Sequence, residues 1–273
     1  MLYTEVTTSC SNHCNFCPVD LVERRGLVHP DVQRGVLNLI ASSPSRKFVV
    51  YPHLVGEPLL FPGLREYLQA LASMSNVELW LCTNGVFLDG PRLRELEESG
   101  LRNIWFSMFY ATPADYRKHT RSDHFEAAKR NLCLLLAHSS RFDRIHIVLF
   151  SKGTAELETL VQDKPNVTLQ MERDVHPWKF EGRLYGRRVF RSLFSSMGKL
   201  RTKYVCVAID GKVCFDWRDY NFRNCLGNIR DLAPAGILHR LDAGVIDVLK
   251  TRIYDLLHEP AATYGNRDFL PKD

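Results

Sequence analysis

Three cysteines stand within one short segment, Cys10-Ser-Asn-His-Cys14-Asn-Phe-Cys17, with three and then two residues between them. A single loop can turn three such sulfurs toward one centre, and the chemistry this suits is metal binding. A structural zinc site closes its shell with four protein ligands, whereas this loop offers three thiols and His13 as the only nearby extra. Iron–sulfur clusters also bind thiolates, normally four. With three, one iron is left without a protein ligand and can take a small molecule, which is an arrangement for reactivity. A second set lies late in the chain: Cys206, Cys214 and Cys225, with seven and ten residues between them. Cys82 and Cys133 are isolated in apolar segments and read as small core residues.

These residues need elements to hold them. Leu2 to Thr8 favours an extended segment, and the cysteine loop follows at once. A helix over Asp31 to Ala41 then leads into Lys47 to Leu54, whose short apolar run suits a strand buried on both faces. The alternation repeats. Helix Leu64 to Met74 precedes strand Val77 to Cys82, helix Pro91 to Glu98 precedes strand Asn103 to Met108, and helix His124 to His138 precedes strand Arg144 to Phe150. A last cycle runs from Ala155 to Gln162 into Val167 to Met171. Six strands alternating with helices imply parallel pairing by crossovers, hence a barrel-like or doubly wound α/β sheet with ligands at the C-terminal strand ends. After about Asp174 the pattern changes, and the chain divides into residues 1–174 and a smaller region, 175–273. In the latter, Tyr204 to Ile209, Asp210-Gly211 and Lys212 to Phe215 read as a hairpin with a two-residue turn. An amphipathic helix is expected over Gly244 to His258.

Composition excludes several classes. The 273 residues are 45% hydrophobic and 25% charged, which rules out global disorder. No apolar run approaches the ~20 residues of a membrane span, and no secretory signal is visible, so a cytoplasmic protein is expected. The net charge of +5 is spread along the chain. Its densest basic stretch, Arg183 to Arg191, suits a solvated helix face better than a nucleic-acid site.

Cys10-x3-Cys14-x2-Cys17, with Phe16 before the last cysteine and a strand before the first, resembles the motif of the radical S-adenosylmethionine (radical SAM) superfamily. Val55-Gly56-Glu57-Pro58 follows the second strand and resembles the family's Gly-Glu-Pro segment, whose backbone holds the amino group of the cofactor's methionine. Thr83-Asn84-Gly85 after the third strand and Ser107 at the fourth resemble further family positions. Tyr116 to Leu132, with Arg121, looks like the family's fourth helix region. The resemblance implies a partial (β/α)6 TIM-like barrel holding a [4Fe-4S] cluster on Cys10, Cys14 and Cys17, with Phe16, Gly56, Glu57, Pro58, Thr83, Asn84, Ser107 and Arg121 around S-adenosylmethionine. It implies reductive cleavage of that cofactor to a 5′-deoxyadenosyl radical, which takes hydrogen from a substrate. An electron donor such as flavodoxin or ferredoxin is the implied partner.

The late segment, with Asp210-Gly211-Lys212-Val213-Cys214 and Leu226-Gly227-Asn228-Ile229, resembles the C-terminal appendage of SPASM and twitch subfamilies. No cysteine follows Cys225, so a full SPASM domain is excluded. Two outcomes stay open. Cys206, Cys214 and Cys225 bind an auxiliary [4Fe-4S] cluster, or one of them, Cys206 or Cys225, is a thiol that donates hydrogen to a substrate radical. Asp216 and Asp219 could bind a substrate hydroxyl or amine, or take its proton. The twitch resemblance implies oxidation or epimerisation of an aminocyclitol, sugar or nucleoside-like small molecule in natural-product biosynthesis. Modification of a ribosomally made peptide is the alternative, weakened because the cluster loop starts at residue 10 and leaves no room before it for a leader-binding domain. Activation of a glycyl-radical partner is disfavoured by the appendage. A non-catalytic iron–sulfur protein is the reading from another class.

Overall fold

The computed structural model describes residues 1–150, 155–171, 204–214, 220–222 and 225–243. The expected helix over Gly244 to His258, the Arg183 to Arg191 stretch, Asp216 and Asp219 lie outside them. The strands are β1 (Leu2–Thr4), β2 (Phe48–Tyr51), β3 (Val77–Thr83), β4 (Asn103–Phe109), β5 (Arg144–Leu149), β6 (Val167–Met171), β7 (Val205–Val207), β8 (Lys212–Cys214) and β9 (Gly227–Asn228). The helices are α1 (Pro30–Ala41), α2 (Leu64–Ala72), α3 (Gly90–Glu98), α4 (Pro113–Thr120), α5 (Phe125–Ala137), α6 (Ala155–Val161) and α7 (Pro234–Ala243). No helix among the described residues is long and apolar enough to cross a membrane.

All strands join one sheet in the order β6-β5-β4-β3-β2-β1-β7-β8-β9. The first six are parallel, because each is carried back by a helical crossover, and together they form the partial (β/α)6 barrel. β7 then pairs in parallel on the free side of β1, with Leu2 opposite Val205 and Tyr3 opposite Cys206. β8 turns back on β7 and β9 on β8, both antiparallel. The hairpin at Asp210-Gly211 is therefore present, and it continues the barrel sheet.

Strand alternation sorts the side chains into two environments. Leu2, Val50, Leu79, Leu81, Ile104, Phe106, Ile145 and Ile147 pack toward the helices in one continuous core. Helix faces complete it: α1 contributes Val32, Val36, Leu39 and Ile40 at helical spacing, after a His29 cap whose Nδ1 accepts from the Asp31 N–H. The opposite, inner face carries Tyr3, Tyr51, Trp80, Trp105 and His146. Tyr3 stacks on Tyr51 at 5.0 Å, Tyr51 on Trp80 at 6.5 Å, and His146 meets the Trp80 edge at 4.8 Å.

The stretch Tyr116 to Leu132 spans the end of α4, which stops where Arg121 adopts a left-handed conformation (φ 53°), and the start of α5 at Phe125, close to the expected helix His124 to His138. One expectation needs correction. Cys133 is exposed, since Ala128, Leu132, Leu135 and Leu136 form the buried stripe of α5 and residue 133 points elsewhere. α7 lies between the late strands and the expected helix over Gly244 to His258.

Candidate active site

The cysteine loop leaves the C-terminal end of β1 and is held from three sides. From the first comes the turn after β2: the Glu57 N–H donates to the Ser9 carbonyl at 2.8 Å, and Gly56 lies so close that a Cβ there would stand 2.1 Å from the Thr7 carbonyl oxygen. Only glycine permits that approach. From the second comes the turn after β3, where Asn84 Nδ2 donates to Ser11 Oγ at 3.1 Å and toward Cys10 Sγ at 3.6 Å. From the third, the end of α4 presents carbonyls: His13 N–H donates to Thr120 and Asn15 N–H to His119.

Glu57 ties the first two sides together. Its buried carboxylate accepts from Thr83 Oγ1 at 2.7 Å, from the Asn84 N–H at 2.7 Å and from the Leu59 N–H at 3.1 Å. Burial pushes its pKa up to about 7, against the pull of these donors. The side chain thus builds the turn, while the backbone of Gly56 and Pro58 remains beside the cysteines. Asn131 of α5 secures the β3 turn by donating to the Gly85 and Val86 carbonyls.

Cys10, Cys14 and Cys17 are in no disulfide. Burial pushes their thiols up, Cys10 to about 12, Cys17 to about 11 and Cys14 well above its usual value, and Cys14 is raised further by both neighbouring thiols. They are therefore electrostatic neighbours. Yet among the described residues no three His, Cys, Asp or Glu side chains are gathered closely enough for a single metal ion. Three thiols with no fourth protein ligand beside them among the described residues suit a cluster that leaves one iron open better than a structural zinc shell, which closes with four. The donor set, all sulfur with an amide N–H directed at Cys10, also fits a cluster, whose potential such hydrogen bonds tune.

The remaining expected residues divide. Phe16 joins an aromatic group with Phe109 at 5.1 Å and Phe150 at 5.2 Å, on the rim beside the cysteines. Phe109 sits there at φ 60°, beside an irregularity in the β4–β5 register that begins at Ser107. Ser107 is half-buried on the inner face. Arg121 is engaged by the protein itself: Nη2 donates to Asp20 Oδ2 at 2.6 Å, and Nε to the His13 carbonyl. It holds the cysteine loop to α4.

Of the late thiols, Cys206 and Cys214 stand opposite one another across β7 and β8 and are buried with Ala208, Phe222, Tyr3 and Leu54. Cys225 is exposed and precedes β9, so the structure brings together the first two and leaves the third at the surface. Sequence reasoning missed the clamp joining this region to the cysteine loop. Arg24 Nη2 donates to Glu5 Oε1 at 2.6 Å and its Nε to Glu5 Oε2, its Nη1 reaches the Tyr220 carbonyl, and its guanidinium lies over the Phe222 ring at 4.8 Å. Glu5 also accepts from the Ile209 N–H at 3.2 Å. The available signal was a lone acid in the expected extended segment Leu2 to Thr8, which is otherwise apolar, aromatic and threonine residues.

Comparison with known proteins places this architecture. The family model described as the Radical SAM superfamily matches residues 4–160, and the chain belongs to that superfamily. Members of that superfamily use a [4Fe-4S] cluster and S-adenosylmethionine. Among individual relatives, GTP 3′,8-cyclase of Aquifex aeolicus (strain VF5) is 30% identical over 124 residues, 43% of this chain and 38% of that protein. GTP 3′,8-cyclase of Chlorobaculum tepidum is 29% identical over 146 residues, 50% of this chain and 40% of that one. The chain thus spans about two fifths of the curated relatives it matches. Among solved structures, BtrN in complex with AdoMet and 2-DOIA superposes with a TM-score of 0.56 at 17% identity, over 95% of this chain and 82% of that one. Native anSMEcpe with bound AdoMet gives 0.57 at 16% identity, over 85% and 78%. At these identities the likeness is one of fold.

Proposed function

We propose that this radical SAM enzyme oxidises or epimerises a small polar metabolite at a carbon bearing a hydroxyl or amino group, an aminocyclitol, sugar or nucleoside-like compound of natural-product biosynthesis. Length, the Gly56 to Leu60 segment and the short appendage resemble 2-deoxy-scyllo-inosamine dehydrogenase, and the similarity of fold to BtrN, crystallised with 2-DOIA, runs through the appendage. The observation that carries the reading is the seating of the C-terminal hairpin, which buries Cys206 and Cys214 one strand away from the cysteine loop.

When bound, the cluster and S-adenosylmethionine supply the radical that removes a hydrogen atom from substrate. Cys10, Cys14 and Cys17 would hold the cluster, and Gly56, Glu57 and Pro58 form the wall beside it. Asn84 steadies Cys10, and the Phe16, Phe109 and Phe150 rings exclude water from the rim. In the oxidation reading the substrate radical must lose one further electron, and Cys206, Cys214 and Cys225 are the residues that would hold an auxiliary cluster to accept it. In the epimerisation reading a thiol of this set would return a hydrogen atom instead, and the thiyl left behind would be restored by an electron from the external donor and a proton.

Anaerobic reconstitution followed by reaction with dithionite, S-adenosylmethionine and 2-deoxy-scyllo-inosamine tests this reading. Production of 5′-deoxyadenosine with a ketone, or with an inverted centre, is the expected result. About eight irons per chain accompany the oxidation reading and about four the epimerisation reading. Bound iron without any cleavage of S-adenosylmethionine would instead support a non-catalytic protein.

A further inference from the structure

His53 lies two residues beyond Tyr51 at the C-terminal end of β2 and three before Gly56. Its ring stands edge-on to both members of the stacked pair beneath it, 5.8 Å from Tyr3 and 6.0 Å from Tyr51. These contacts with two inner-face rings place His53 on the inner side of the barrel, in the segment between the aromatic floor and the turn that holds the cysteine loop. Its Nδ1 is buried and has no hydrogen-bond partner, the one such side-chain nitrogen or oxygen among the described residues. Buried polar atoms are almost always satisfied, and an exception asks for an explanation. Burial also lowers the imidazole pKa to about 4, so the ring is neutral at physiological pH and offers one acceptor and one donor.

We propose that His53 is a substrate-contacting residue, its Nδ1 meeting a hydroxyl or amino group of a small polar substrate held between the tyrosine floor and the Gly56 to Pro58 wall. The assignment rests on the small-metabolite reading above. A purely structural histidine would have its nitrogen paired within the core, as Asn76, Asn103 and Asn131 have theirs with main-chain carbonyls. Here the ring is fixed by Tyr3 and Tyr51 while the polar atom is left for something the chain does not provide.

Two substitutions separate this role from a structural one. His53→Phe keeps the ring and removes both nitrogens, and His53→Asn keeps a polar atom near the place of Nδ1. Thermal unfolding of the reconstituted protein needs no substrate: His53→Phe should leave the midpoint unchanged or raise it, and a fall of more than about 5 °C would overturn the proposal by showing that the nitrogen supports the fold. The second measurement is 5′-deoxyadenosine formation with 2-deoxy-scyllo-inosamine as probe and GTP in parallel. For the probe that stimulates the wild type, half-saturation should rise at least about thirtyfold in His53→Phe and stay within about fivefold in His53→Asn, as loss and retention of one buried hydrogen bond require. Wild-type half-saturation in His53→Phe would overturn the proposal. If neither probe stimulates the wild type, the small-metabolite reading fails in this form, and unfolding alone decides His53: an unchanged or raised midpoint sustains it as a ligand-facing group, a lowered one overturns it.

Discussion

The two groups of cysteines differ in how they are held. The N-terminal three occupy one loop pinned from the β2 turn, the β3 turn and the end of α4 by main-chain hydrogen bonds and by Asn84. The late three are spread from β7 to the approach to β9, and only Cys206 and Cys214 face each other. Close spacing within a loop forces sulfurs into one neighbourhood. Spacing of seven to ten residues across a hairpin leaves convergence to register, and register here delivers two of three.

The sharpest test of that contrast is Cys14→Ala beside Cys225→Ala. The first should abolish iron binding at the loop and lower 5′-deoxyadenosine formation by about a thousandfold or more, since the cofactors carry the chemistry. The second should leave substrate-independent cleavage intact. If Cys225 is a ligand, iron content falls by about four; if it is a hydrogen donor, turnover stops with iron unchanged.

The clamp between the regions should show next. Arg24→Met leaves the Glu5 carboxylate buried without its cation, and chemical denaturation should reveal a loss of about 3–5 kcal/mol. Adding Glu5→Gln should recover much of it. A loss below about 1 kcal/mol would mean that the late strands are seated by the β1–β7 ladder alone.

A smaller effect is expected from pH. The folded pKa of Glu57 lies above its ordinary value, so the native state binds more protons between pH 4.5 and about 7 and gains stability as pH falls through that window. The difference between wild type and Glu57→Gln should therefore grow toward low pH by at most about 3 kcal/mol, the equivalent of the shift in pKa. Smallest of all, Cys133→Ser should change stability by no more than about 0.5 kcal/mol, because the thiol is exposed on α5.

Much of the barrel was legible because parallel strands carry apolar runs and helices carry spaced ones. Phe48 to Tyr51 and Val36 to Ile40 each announce their element. Which strand residues face inward was hidden, since Leu79 and Trp80 are equally apolar, and with it the inner aromatic floor. The break at Arg121 carries no glycine to signal its left-handed backbone. Gly236 weakens the helical pattern of α7, which packs against α1. Around the site, the cysteine triplet, Gly56 to Pro58 and Asn84 were readable from order alone. Glu5, Arg24 and Asn12, which donates to the Tyr116 hydroxyl at 3.0 Å, act over sequence distances that spacing does not encode.

The placement of β1 between β2 and β7 bears on biosynthesis. During synthesis β1 gains its second neighbour only after Val207 has emerged, roughly 10–40 s later at ordinary elongation rates. Until then Glu5 has no Ile209 amide to receive, although the three supports of the thiol loop, the turns at Glu57 and Asn84 and the end of α4 at Thr120, have already been made. The receptacle for iron is therefore complete in the nascent chain before the strands that carry the late thiols exist, so the two groups of sulfurs are assembled in sequence during synthesis.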